Sequence, residues 1–192
     1  MGRPGDDRGV TPAAQASRIT VVGGSGGPEV GSVLGRQVDG VTCGPSVLVM
    51  TAALTGSGWP GPAAERFGAA QRAAHRQANR FWPRALGTTP WGMRAWLHRH
   101  APAAGRFRIR PATARELAAV ASARRPVPLL VGTRRLPRHW VLVLGARADG
   151  TWRVYEPGSG TVRAFHPAAF ADGTAARTLG MPRPWCVLRP VP

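Results

Sequence analysis

The apolar segment that follows Thr42-Cys43-Gly44-Pro45-Ser46 constrains this chain more than any other feature. Val47, Leu48, Met50, Ala52 and Leu54 leave no polar face on a helix, and Gly56-Ser57-Gly58 closes the run. Such a segment must be surrounded on all sides by other apolar groups, so it is expected to be a central, buried helix. Pro45 fits the first turn of that helix, where backbone N–H groups have no intrahelical partner in any case. The consequence is a thiol, Cys43, at the mouth of a buried helix. Thiols are nucleophilic as thiolates, and helix N-termini and neighbouring imidazolium groups lower a thiol pKa from about 8.5 to roughly 3.5–7.5. Cys43 is therefore a candidate nucleophile, and Gln37, six residues upstream, is a carboxamide donor nearby in sequence.

A second constellation lies well downstream. In Arg138-His139-Trp140-Val141-Leu142-Val143-Leu144-Gly145 a histidine opens an apolar run, and in Thr151-Trp152-Arg153-Val154-Tyr155-Glu156-Pro157-Gly158 an acid closes the next. Ala148-Asp149-Gly150 is a turn signal, and pairing the two runs as an antiparallel hairpin brings His139 and Glu156 to the same end of a sheet. An imidazole and an orienting carboxylate would then be neighbours.

These residues resemble the papain-like cysteine peptidases, and among them the branch of the bacteriocin-leader (double-glycine) peptidases. That branch has a Gln ahead of a Cys-Gly-Pro helix start, a His-aromatic pair opening a hydrophobic strand, and an acid before Pro at the end of the next strand. The resemblance covers about Arg36 to Gly160 in the family order. It implies Cys43 as nucleophile, His139 as general base and acid, Glu156 as orienter and Gln37 as an oxyanion-hole donor. It also implies a peptide or protein substrate and no cofactor. The family usually carries Asp or Asn before the Pro, and Glu156 is longer by one methylene.

Around these motifs the chain reads as an α+β domain of papain-like design, a helical half packed on an antiparallel sheet that carries the histidine and the acid. A second helix is expected from Pro62 to about Arg80 and a third over Trp91 to Leu97. A strand is expected over Arg106–Arg110, and a helix from Thr113 to Ala123 with Thr113 as cap and Glu116 at the capping-box position. Apolar runs at Pro126–Val131, His139–Leu144, Trp152–Tyr155, Val162–Phe165 and Trp185–Leu188 complete the sheet. Residues 1–17 are polar and lack periodicity, which predicts a disordered tail, with residues 18–192 forming one domain. Ile19–Val22 reads as a short strand, and Gly23–Gly27 as a linker that fits no phosphate-binding motif.

Composition narrows the function classes. The net charge of +17 suggests a nucleic-acid binder, but all 26 basic residues are Arg and they are dispersed along the chain. That pattern argues for a solvated basic surface rather than a specific nucleic-acid site. No apolar run reaches the roughly 18 residues of a membrane span and no secretory signal is visible, so a cytoplasmic protein with no membrane partner is expected. Two cysteines do not make a disulfide scaffold, and Cys186, in Pro184-Trp185-Cys186-Val187-Leu188, reads as a buried strand thiol. The remaining histidines match no metal-ligand spacing: His98 and His100 are expected on the surface after the third helix, His75 in a polar helix, and His166 before Pro167. The reaction class stays open among peptidase, amidase, deamidase and acyltransferase, and a catalytically quiet peptide- or partner-binding domain is the alternative of a different kind. The residues say nothing of oligomeric state.

Overall fold

The computed structural model describes residues 27–56 and 64–191. The expected tail, the strand at Ile19–Val22 and most of the Gly-rich linker lie outside them. Three helices come first: α1 (Cys43–Leu54), α2 (Ala64–Ala78) and α3 (Pro90–His100). Strand β1 (Phe107–Pro111), helix α4 (Ala114–Ala121) and strands β2 (Val127–Gly132), β3 (Pro137–Ala146), β4 (Trp152–Glu156) and β5 (Thr161–Phe165) follow. Two short helices, α5 (Ala169–Asp172) and α6 (Ala175–Leu179), precede β6 (Arg183–Pro190). The strands form one antiparallel sheet in the order β1-β6-β2-β3-β4-β5, and the class is α+β.

Alternation along the strands explains the layering. Leu130, Trp140, Leu142, Tyr155 and Leu188 pack with α1, α2 and α3, while Leu129, Val131, Val141, Val143, Val154 and Val187 pack with Val120 of α4 and Ala175 and Leu179 of α6. The sheet is thus covered on both faces, not on the helical side alone. A strand buried on both faces has no polar positions, which is why β2 is buried along its whole length and reads as a continuous apolar run.

Helix α1 is buried from Cys43 to Ala52. Its first turn packs tightly: a Cβ on Gly44 would lie 2.9 Å from Thr88 Cβ and 3.2 Å from Trp140 Cδ1, so only glycine lets the helix start sit against β3. Trp140 is fixed in turn by its indole N–H, which donates to the Thr88 carbonyl at 2.8 Å. The Thr113 hydroxyl caps α4 by accepting from Glu116 N at 3.3 Å, as the capping-box spacing predicts. Helix α3 runs three residues further than its apolar spacing indicates, so His98 and His100 lie on the helix and not after it. Its start is fixed by Thr89, which accepts from Gly92 N at 3.1 Å, with Pro90 in the first turn. His75 is buried in α2 rather than solvated, and burial lowers its pKa.

Candidate active site

The β3–β4 hairpin pairs Leu142 with Tyr155, Val143 with Val154 and Ala146 with Trp152, closing through Arg147 N to the Thr151 carbonyl at 2.8 Å. This register brings His139, two residues inside β3 rather than at its start, beside Glu156 at the end of β4. His139 Nε2 lies 2.9 Å from Glu156 Oε1. The extra methylene of the glutamate is taken up by the β4–β5 turn, because the carboxylate folds back over it. Oε1 accepts from Gly158 N at 2.7 Å and Oε2 from Ser159 N at 2.8 Å. A Cβ on Gly158 would stand 2.9 Å from Oε1, so the glycine makes room for the carboxylate.

Cys43 lines one cleft with His139 and acts on the titration of its ring. With Nε2 turned to Glu156, Nδ1 is the nitrogen left to face the thiol. Burial opposes charge on this imidazole, but the hydrogen-bonding and electrostatic influence of Cys43 and Glu156 outweighs it and raises the pKa to about 9. The same accounting applies to Glu156: burial pushes its pKa up, and the bonds from His139, Ser159 and Gly158 more than reverse that, to about 2. His139 is held as an imidazolium at neutral pH.

Cys43, His139 and Glu156 line one open cleft of about 900 Å³, whose walls come from the residues before β3, the 3₁₀ turn Arg84–Leu86 and helix α6. Cys43 is 5% exposed, because α1 is sunk into the core, and it lines the cleft. Cys186 is half-buried in β6 rather than fully buried, and the burial it has pushes its thiol up to about 12. Trp82 also borders a second, more apolar groove of about 520 Å³ next to Phe81, Trp91 and Trp96, a feature without a periodic signal in the sequence.

Gln37 stands apart from this cluster. Its side-chain amide donates to the Asp39 carbonyl at 2.6 Å, its Oε1 is buried without a partner, and it does not line the cleft. The segment that carries it is nevertheless tightly placed beside the β4–β5 turn. Gln37 N donates to the Pro157 carbonyl at 2.9 Å, and the Tyr155 hydroxyl donates to the Gly35 carbonyl at 2.6 Å.

Gln71 of α2 was not singled out in the sequence, yet it ties this segment to α1. It is fully buried, its Oε1 accepts from Val38 N at 3.1 Å and lies 2.7 Å from Ser46 Oγ, and its Nε2 donates to the Arg36 carbonyl at 2.9 Å. The signal that could have found it is a lone amide among the alanines facing α1. Gln71→Ala is expected to cost roughly 1–3 kcal/mol, the penalty for buried groups left without partners. A thermal melt measures it, and an unchanged melt would assign the bonding to water.

No family model and no curated protein matches this chain. Among solved structures it is similar to the peptidase domain of ComA from Streptococcus mutans, at 18% identity and a TM-score of 0.44 over 81% of this chain and 97% of that one. A second similar structure is the peptidase domain of Streptococcus ComA, a bi-functional ABC transporter involved in quorum sensing, at 18% identity and a TM-score of 0.45 over 81% and 96%.

Proposed function

We propose that this chain is a papain-like thiol hydrolase that cleaves a peptide amide bond, with Cys43 as nucleophile, His139 as general base and acid, and Glu156 as orienter. The observation that carries the reading is His139, held between the thiol and a carboxylate inside an open cleft. Nucleophile, base and orienter in that order within hydrogen-bond reach are what covalent acyl transfer requires.

In the proposed reaction His139 holds the proton taken from Cys43, and the sulfur adds to the carbonyl carbon. The oxyanion forms at the open end of α1, where the first helical bond, from Ser46 N to the Thr42 carbonyl, leaves the N–H of Cys43 unused by the helix. Collapse breaks the C–N bond as His139 protonates the departing amine. Water, deprotonated by His139, then adds to the thioester and releases the acid and the thiol.

A second reading, a peptide-binding domain without turnover, is favoured by one observation: the Gln37 amide is committed to Asp39 instead of the cleft. The same cleft also suits an amidase or acyltransferase. Among the described residues no helix is long and apolar enough to cross a membrane.

Iodoacetamide is expected to alkylate Cys43 well before Cys186, despite the lower exposure of Cys43, because Cys43 lines the cleft beside an imidazolium and the Cys186 thiol is held at about 12. Peptide mapping by mass spectrometry reads the order. Equal rates, or Cys186 first, would remove Cys43 as nucleophile. Rapid labelling of Cys43 without cleavage of any peptide would instead select the binding domain.

A further inference from the structure

The charge of the cleft is one-sided. Arg138 on β3, Arg163 on β5 and Arg177 on α6 line it from three elements, and Glu156 is the only acid among the lining residues. That acid is already committed, since its oxygens accept from Gly158 N and Ser159 N and hold His139. Arg163 is partly engaged, donating to the Thr178 carbonyl at 2.9 Å and standing 3.8 Å from Glu156 Oε2. Arg138 and Arg177 are exposed, and neither has a carboxylate within ion-pair distance among the described residues. Asp172, which feels Arg177, is itself bonded to Thr174 N and Oγ1.

Cations converging on a concave site raise its potential more than the same charges spread on a convex surface, so the cleft selects for negative charge. From this charge arrangement we infer that the cleft binds acidic peptide segments, with Asp or Glu side chains meeting Arg138 and Arg177. The inference rests on the peptidase reading for its substrate class. Peptide is favoured over nucleic acid because the proposed nucleophile and base in the cleft suit an amide carbonyl, and because the exposed Leu86 and Leu136 supply apolar walls for side chains. Arg138 and Arg177 are then specificity determinants, since they line the cleft and take no part in the proposed chemistry.

The test reads occupancy of the cleft and does not depend on turnover. Three peptides with one neutral core, carrying four Glu, four Lys or no charged residues, are compared for how far each slows iodoacetamide alkylation of Cys43 in the intact protein. A single-stranded oligonucleotide of the same charge as the acidic peptide is the fourth probe. The acidic peptide should protect Cys43 at concentrations where the neutral and basic ones do not, and more so at low salt. Arg138→Gln with Arg177→Gln should weaken that protection by roughly 2- to 30-fold, the combined scale of two exposed charge pairs. Arg115→Gln with Arg124→Gln, an equal loss of charge on and after α4, should leave it unchanged. Equal protection by neutral and acidic peptides, equal losses in both double variants, or protection by the oligonucleotide as strong as by the acidic peptide would each overturn the inference. None of these results depends on peptide cleavage, so a protein that binds acidic peptides without cutting them would overturn the peptidase reading and leave this one standing.

Discussion

Cys43→Ala and His139→Ala are each expected to remove nearly all turnover of a cleaved peptide, a loss on the order of 10⁴–10⁶ in kcat, with the double variant little worse than either single one. In the proposed reaction nucleophile and base act on one proton and one bond, so removing either leaves the other with nothing to do. A spectroscopic arm separates this coupling from simple misfolding. The His139 pKa, about 9, is pulled down by burial and raised by the influence of Cys43 and Glu156, with that of Cys43 the larger of the two. In Cys43→Ala the imidazole should therefore titrate clearly lower while the hairpin that carries it stays folded. Histidine NMR across pH 5–10 reads the shift. Full activity in His139→Ala, or a His139 titration untouched by loss of the thiol, would remove the base from the mechanism.

Much of the frame behind that prediction is legible in the sequence, for identifiable reasons. Helix α1 announces itself because no surface helix could carry Val47 to Leu54 without a polar face, and because Gly44 and Pro45 are tolerated together only in a first turn. The β3–β4 hairpin follows from alternation on both sides of Asp149-Gly150, where Gly150 takes φ +80°. With the hairpin in place, the meeting of His139 and Glu156 is fixed by register.

What the sequence hides depends on residues far apart in the chain. Helices α5 and α6 sit in a stretch too short for periodicity to show, yet α6 forms a wall of the cleft and its Ala175 and Leu179 close the second core. Gln71 lies in an Ala- and Arg-rich helix that looks solvated, and its partners, Arg36, Val38 and Ser46, come from two other segments. The direction of the Gln37 amide is a rotamer choice in a loop, decided by the Asp39 carbonyl and by no spacing rule. Spacing can nominate a donor, but the competing acceptors around it decide where the donor points.

Glu156 offers the other large expected effect, read as stability against pH. The folded protein holds His139 at about 9, above its ordinary 6.5, so this stabilisation is complete below about pH 6.5 and is lost as pH rises through 9. Glu156 is held at about 2, below its ordinary 4.5, so its contribution is complete above about pH 4.5 and is lost as pH falls through 2. Both are therefore fully present only between about pH 4.5 and 6.5. The His139–Glu156 pair is common to both shifts, which also draw on Cys43 and on the Gly158 and Ser159 amides, so its own share counts once, at no more than roughly 2–3 kcal/mol. Glu156→Gln should lower the melting temperature most inside that window, with the gap to wild type narrowing toward pH 9. It keeps an oxygen for His139 Nε2 but turns an amide donor toward Ser159 N–H, where the carboxylate had accepted at 2.8 Å. Since the imidazole is still held, the loss of kcat should stay below the roughly 10²–10⁴ of general acid–base catalysis. Glu156→Asp is the stricter probe: it keeps the charge but shortens the side chain by one methylene, in a turn whose Gly158 and Ser159 amides are spaced for the longer one. It should lose more activity than Glu156→Gln. A melting gap in Glu156→Gln that does not vary with pH would show that the carboxylate does not charge His139, and an aspartate variant as active as wild type would show that the length of the glutamate is not needed to orient it.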